Sequence, residues 1–398
     1  MLKNKKRSIF LTIIIVSMAI SPAFALGEGN RNLFLIGVMS ISPIIILRFF
    51  EFDTLDFLLL LFLTAIAVFP ALLHPETMRW STVLYSIMYG LTFIAYKQLL
   101  RQKHFSVLNY LKILKFLIYA YFIVLLVQQF CVLTGLPVFN LSNYDPTQPW
   151  KLNSLAAEPS HSGRIVALLM YSYIIIKEKL LNRSYNLKKE FRKDKWIWIA
   201  FIWTMITMGS GTAFLFLGIV ILKFVRFKNL IPLFIVGIAA AALLTVLEVP
   251  VLERTMKTVT ATLTLDEATI IAADHSASMR IVPMIILAKM IDLSSLVGWF
   301  GHGVDHVGTF LSDYLPGVPE GISGGGLFQL LTEYGFISFF LFLVFSIKTT
   351  FNKAAKMNIM FWFMLVFLYG VNNQIVWLCI ILLFTNNYFL KIKNFYEL

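Results

Sequence analysis

The chain has 398 residues, of which 59% are hydrophobic and 14% charged, and its mean hydropathy is +0.79. Soluble globular domains carry about 25% charge, so the composition excludes a soluble enzyme and describes a polytopic membrane protein. The net charge of +13 invites a nucleic-acid reading, but the distribution of that charge, below, argues against it.

Lipid offers the backbone no hydrogen-bond partner, so spanning segments are helices or closed barrels. The apolar runs here approach twenty residues and do not alternate, which selects helices. Cys131 and Cys379 lie in or beside apolar runs and read as small core hydrophobes. The sequence has neither a CxxC nor an HExxH pattern, so it shows no metal signature.

In chain order, Lys3, Lys5, Lys6 and Arg7 precede an apolar run from Ile9 to Leu26. This reads as a first span or as a signal peptide ending near Ala23-Phe24-Ala25, and the downstream topology is the same either way. Further spans are predicted at about 31–50, 55–73, 80–97, 112–134, 164–180, 196–209, 212–227, 230–248, 326–348, 357–371 and 374–391. The expectation is a single all-α transmembrane domain over 1–398 with about twelve spans. A short loop at 135–163 and a large one at 249–326 lie on the external face.

The charges test this arrangement. With the N-terminus inside, most of the 34 lysines and arginines fall on cytoplasmic segments. Only Arg31, Arg79, Lys151, Arg164, Arg254, Lys257, Arg280 and Lys289 lie outside, whereas most of the acids fall on the external side. This is the positive-inside pattern, and it places both termini in the cytoplasm. Ile281–Phe300 is apolar enough to pass for a span. Crossing there would put Lys348, Lys353 and Lys356 outside and bury Lys289 and Asp292 at depth, each costly. The segment is therefore expected as an interfacial or re-entrant helix within the large loop.

The spans carry few ionisable groups, which counts against an ion-coupled transporter. The polar residues gather externally in three clusters. In Leu152–Arg164, Pro159 suits a first helical turn. The helix that follows would point its N-terminus at an external site, where free N–H groups attract anions. Arg164 adds charge there, and Glu158 and His161 are candidate acid or base. An ordinary capped span end is the competing explanation. Gly209-Ser210-Gly211-Thr212 is a tight turn into another helix. Ser210 and Thr212 could bond a phosphate or a sugar, or the small residues could serve helix packing alone. In the large loop, Arg254 and Arg280 offer guanidinium groups for phosphate oxygens, unless Arg280 simply pairs with Glu267 or Asp274. His302 and His306 flank Asp305 and titrate near neutral pH, unless they are merely solvated. Tyr144, Trp150, Trp299 and Tyr314 could stack on sugars or anchor at the interface.

Four pieces of this pattern resemble the bacterial Wzy-type polysaccharide polymerases and their relatives, the O-antigen ligases. Glu158-Pro159-Ser160 looks like the family's E-P-S, and Gly209-Ser210-Gly211-Thr212 like its small-residue turn. Arg280 with Gly301-His302-Gly303 is similar to its R…G-x-G, and Leu327–Ser338, LFQLLTEYGFIS, to its L-x-x-L-L-x-E-x-G-I-I-G. The match covers roughly 150–345 and the topology. Where the family often has His-Asn before the last motif, this chain has Gly324-Gly325, which departs from the ligases.

The resemblance implies a GT-C-like membrane glycosyltransferase. It would join undecaprenyl-diphosphate-linked repeat units into O-antigen, capsule or exopolysaccharide at the outer face of the cytoplasmic (inner) membrane. Metal and cofactor are not implied, and a chain-length regulator is the protein partner implied. Glu158, His161, His302 and His306 are the candidate bases. Arg164, Arg254, Arg280, Ser210 and Thr212 are the candidate pyrophosphate ligands. An O-antigen ligase and a non-enzymatic flippase of lipid-linked sugar are the alternatives.

Overall fold

The structure is a computed structural model that describes residues 2–20, 32–102, 105–138, 144–225, 250–273, 275–314 and 324–392. Among them the chain is helical and contains no strand. The helices are α1 (Leu2–Ala19), α2 (Leu33–Ser40), α3 (Ser42–Phe49), α4 (Thr54–Leu73), α5 (Trp80–Arg101), α6 (Val107–Thr134), α7 (Pro159–Leu181), α8 (Leu187–Thr207) and α9 (Gly211–Leu222). There follow α10 (Pro250–Thr264), α11 (Glu267–Ala273), α12 (His275–Lys289), α13 (Leu296–Phe300), α14 (His306–Tyr314), α15 (Leu327–Thr350), α16 (Asn358–Trp362) and α17 (Gln374–Lys391).

Five of these, α4, α5, α6, α15 and α17, are long and apolar enough to cross a membrane. Their outer faces are what lipid requires. On α6, Phe116, Ile123 and Phe130 recur every two turns and are exposed, as are Phe57, Leu61, Val68 and Leu72 on α4. The sequence segment 31–50 is not one continuous helix: it divides at Ile41, with Pro43 in the first turn of α3, because proline cannot donate to the preceding turn. The segment 357–371 is α16 followed by a π-helical turn, Phe363–Phe367. The span expected at 230–248 and the proposed cleavage region at 23–25 lie outside the described residues.

The chain divides into two compact units. The first comprises Met1–Val38, Leu99–Glu253 and Leu382–Leu398. Its centre is α7, buried without interruption from Ser162 to Ile176 and packed against α6 and α9. Asn386 links two helices of this core, accepting from the Tyr110 hydroxyl (3.1 Å) and donating to Ser172 Oγ (3.0 Å). One residue further along α7, the Tyr173 hydroxyl donates to the buried Asp194 (2.8 Å), which also accepts from the Tyr185 hydroxyl (2.9 Å) and pairs with Lys177 (3.2 Å). A buried carboxylate persists only with such partners.

The second unit comprises Met39–Gln98 and Arg254–Ile381. Here α15 packs along α4, with Phe62 against Phe342 (5.1 Å between centroids). Asp53 caps α4, and its carboxylate and that of Asp56 both meet Lys97 Nζ, at 2.5 and 2.6 Å. Lys97 and Asp56 are fully buried. This ion cluster joins the first turn of α4 to the C-terminal part of α5.

The large loop is a folded body. Ala261, Ile270, Val282, Ile286, Leu287, Val307 and Leu311 form one hydrophobic cluster that draws α10, α11, α12 and α14 together. The interfacial helix expected over 281–300 is two helices. The Asp292 carboxylate accepts from Ser294 N (2.9 Å) and Ser294 Oγ (2.6 Å), and this turn ends α12 before α13 begins. At 15 residues, α12 is about 22 Å long, short of a hydrocarbon core of about 30 Å.

Candidate functional site

In the first unit, two of the four motifs meet. Helix α7 starts at Pro159 with Glu158 as its N-cap, and α9 starts at Gly211 after Ser210. A side chain on Gly163 would fall 2.8 Å from Ala213 Cα, so the start of α7 lies directly on the start of α9. Gly209 has φ +66°, and a side chain there would press on the Trp150 carbonyl oxygen at 3.0 Å. The small residues of the 208–213 turn therefore have a packing role.

The stretch before Glu158 is not an open loop. Leu152–Ala156 is buried and held by α6: Gln128 donates to Asn153 Oδ1 (3.0 Å) and accepts from Ser154 N (2.9 Å), while Ser154 Oγ donates to the Tyr121 carbonyl (2.6 Å). Glu158 and His161 remain half-exposed, their side chains 4.0 Å apart, and Ser160 Oγ donates to Glu158 (3.0 Å). Arg164, 2% exposed, sits inside the unit. Ser210 is buried and Thr212 half-buried.

In the second unit, the other two motifs are built against each other. Helix α15 breaks at Gly335 (φ +78°, ψ 171°). His302 N donates to the Thr332 carbonyl (2.9 Å) and Gly303 N to the Glu333 carbonyl (3.1 Å). A side chain on Gly301 would lie 2.2 Å from the Glu333 carbonyl oxygen, and one on Gly335 would lie 2.2 Å from that of Trp299. The glycines of both motifs are thus needed at a single crossing. The Glu333 carboxylate, 1% exposed, completes it. It accepts from Gln329 Nε2 (3.1 Å) and from the backbone N–H groups of Asp305 and Val307.

His302 Nδ1 lies 3.2 Å from the Thr332 carbonyl. A carbonyl only accepts, so Nδ1 carries the hydrogen, and in the neutral ring Nε2 is the acceptor. His302 also lines a cavity of about 240 Å³ with Asp292, Ser295 and Thr332. The His306 ring stacks on it at 4.6 Å. Burial, then repulsion from His302 and His74, holds His306 below the usual imidazole range, which keeps it neutral near pH 7. His74 Nε2 donates to the Gly301 carbonyl (3.0 Å). Asp305, in the left-handed region at φ +61°, binds Arg79 (2.9 Å) and Thr82 Oγ1 (3.3 Å). Arg280 lies in the second turn of α12 and Arg254 in the second turn of α10. Lys289 pairs with Glu267, at 2.8 Å.

A larger cavity of about 330 Å³ in the same unit has no counterpart among the sequence-predicted sites. Asp305, Gln329, Glu333, Tyr334, Asn372 and Asn373 line it, together with the glycines at 324–326 and 370. The usable signal was Glu333 itself, since a carboxylate inside an apolar span marks a functional site by default. Among the described residues, acids, histidines and cysteines do not cluster as a metal site. Comparison with protein-family models, curated proteins and solved structures finds no match to this chain.

Proposed function

We propose that the protein is a membrane glycosyltransferase of GT-C-like architecture, with about twelve spans, that polymerises repeat units carried on a polyprenyl diphosphate. The observation that carries this reading is the pairing of the motifs. Pieces separated by tens of residues fold two and two, E-P-S with the small-residue turn and G-H-G with the last motif, as parts of working sites would. A flippase has no need of this construction.

In the reaction, a hydroxyl oxygen of the acceptor sugar bonds to the anomeric carbon of the growing chain. The bond from that carbon to pyrophosphate oxygen breaks, and the polyprenyl diphosphate leaves with the electron pair. The acceptor proton passes to a base. His302, with its free Nε2, and neutral His306 suit that role, as do Glu158 and His161 in the first unit. For the developing charge on the leaving group, Arg254 and Arg280 are the candidate cations of the second unit, and Arg164 with the Ser210 and Thr212 hydroxyls is the candidate set of the first. Undecaprenyl diphosphate is the expected carrier, the cytoplasmic membrane the location, and a chain-length regulator the expected partner.

The test is made in cells. Arg280→Ala should shorten or abolish the surface polymer at unchanged protein level, and wild-type polymer would remove the pyrophosphate role. Deletion should leave single repeat units on the final acceptor. Lipid-linked units trapped on the cytoplasmic leaflet would identify an exporter instead.

A further inference from the structure

We infer that the cavity between the start of α15 and the segment 368–373 is a saccharide subsite; on the polymerase reading, it receives the acceptor sugar. Its volume of about 330 Å³ lies at the lower end of the range for small-molecule sites, about 300–1,000 Å³, and suits one or two sugar rings better than a lipid tail.

The polar lining consists of two carboxylates, three side-chain amides and two phenols, from Asp305, Glu333, Gln329, Asn372, Asn373, Tyr334 and Tyr369. Carboxylates accept from hydroxyls, and amides both donate and accept, so the wall matches a ligand covered in hydroxyl groups. Among the described residues, no lysine, arginine or histidine lines the cavity. Carboxyl groups and amides in the wall bond readily to hydroxyls, whereas a pyrophosphate brings only acceptor oxygens to the carboxyl groups, which favours a neutral sugar here.

The amides are already oriented. Ser86 Oγ donates to Asn372 Oδ1, which leaves the Asn372 amino group to donate elsewhere. Gln329 spends one N–H on Glu333, and a side chain on Gly370 would crowd its oxygen at 3.2 Å. An independent observation points to an absent ligand. Tyr334 is 2% exposed, and its hydroxyl has no hydrogen-bond partner among the described residues. Buried hydroxyls are ordinarily satisfied, and Tyr334 belongs to the lining of this cavity, so a sugar hydroxyl is assigned as its partner.

Tyr334→Phe tests the inference, since removing a hydroxyl without a partner strands nothing in the fold. The probes are the methyl glycosides of glucose, galactose and N-acetylglucosamine. Their binding to the full chain in detergent is followed by saturation-transfer NMR, with thermal unfolding alongside. At least one glycoside should bind, and Tyr334→Phe should weaken it about three- to tenfold, the worth of one hydrogen bond, with unfolding unchanged. Inorganic pyrophosphate should not compete. The subsite falls if no glycoside binds, if the variant binds equally well, if pyrophosphate competes, or if magnesium rather than a glycoside protects the chain. Tyr334-dependent binding by a protein that forms no polymer would keep the subsite and remove the polymerase reading. Polymer formation without glycoside binding would do the reverse.

Discussion

Replacing Gly335 by alanine attacks the crossing on which the second unit's motifs depend. The residue sits at φ +78° and ψ 171°, a region open to glycine and costing other residues about 1–3 kcal/mol. The new Cβ would also fall 2.2 Å from the Trp299 carbonyl oxygen and 2.4 Å from Phe300 N. Both contacts are backbone, so relief requires moving α13, at a further cost of about 1–3 kcal/mol. The total, about 2–6 kcal/mol, is a large part of a typical folding stability of about 5–15 kcal/mol. The assay is thermal unfolding of purified protein in detergent, where a loss of this size lowers the midpoint by roughly 5–20 °C. Gly37→Ala is the control. It lies in α2 with nothing within 4 Å of an added Cβ, and alanine there should be neutral or stabilising by about 0.5–1 kcal/mol. A Gly335→Ala protein that melts like wild type would refute the close-approach account of the G-H-G and E-Y-G glycines.

Three further outcomes are expected. Lys97→Met leaves the buried Asp56 carboxylate without its cation and should cost about 3–5 kcal/mol, with part regained in Lys97→Met/Asp56→Asn; thermal unfolding reads both. The imidazole of His306 is held below its usual range, so the unfolded chain takes up a proton that the folded chain resists. Stability is therefore full above the ordinary imidazole value of about 6.5 and is lost as the pH falls through the lower folded value; melting curves at pH 7.5 and 5.5 should differ less for His306→Asn than for wild type. Arg79→Ala breaks a mostly exposed pair with Asp305 and should cost less than about 1 kcal/mol, a loss that high salt reproduces in wild type.

Helix starts were the most legible part of the structure. Pro159, Gly211 and Leu327 begin helices where proline and glycine punctuation placed them, because capping is a local property. Breaks were harder to read. The Asp292 turn ends α12 through one side chain accepting two hydrogen bonds, and hydropathy averages over such a feature. Long-range polar contacts were not legible at all. Lys97 meets Asp53 and Asp56 from 44 and 41 positions away, and Ser86 meets Asn372 from 286. For the same reason the larger cavity stayed hidden, since its lining comes from four separated segments, around 279, 305, 324–334 and 368–373. The G-x-G and E-x-G glycines were visible as motif letters, but the reason for them, mutual backbone approach, needed the fold.

The most direct test of the proposed activity is reconstitution. Purified protein in liposomes is given an oligosaccharide repeat unit on undecaprenyl diphosphate, and lipid and glycan products are separated. The account predicts a ladder of lengthening glycan with one undecaprenyl diphosphate released for each linkage formed. Lipid-linked units that cross the bilayer without growing in length would contradict it.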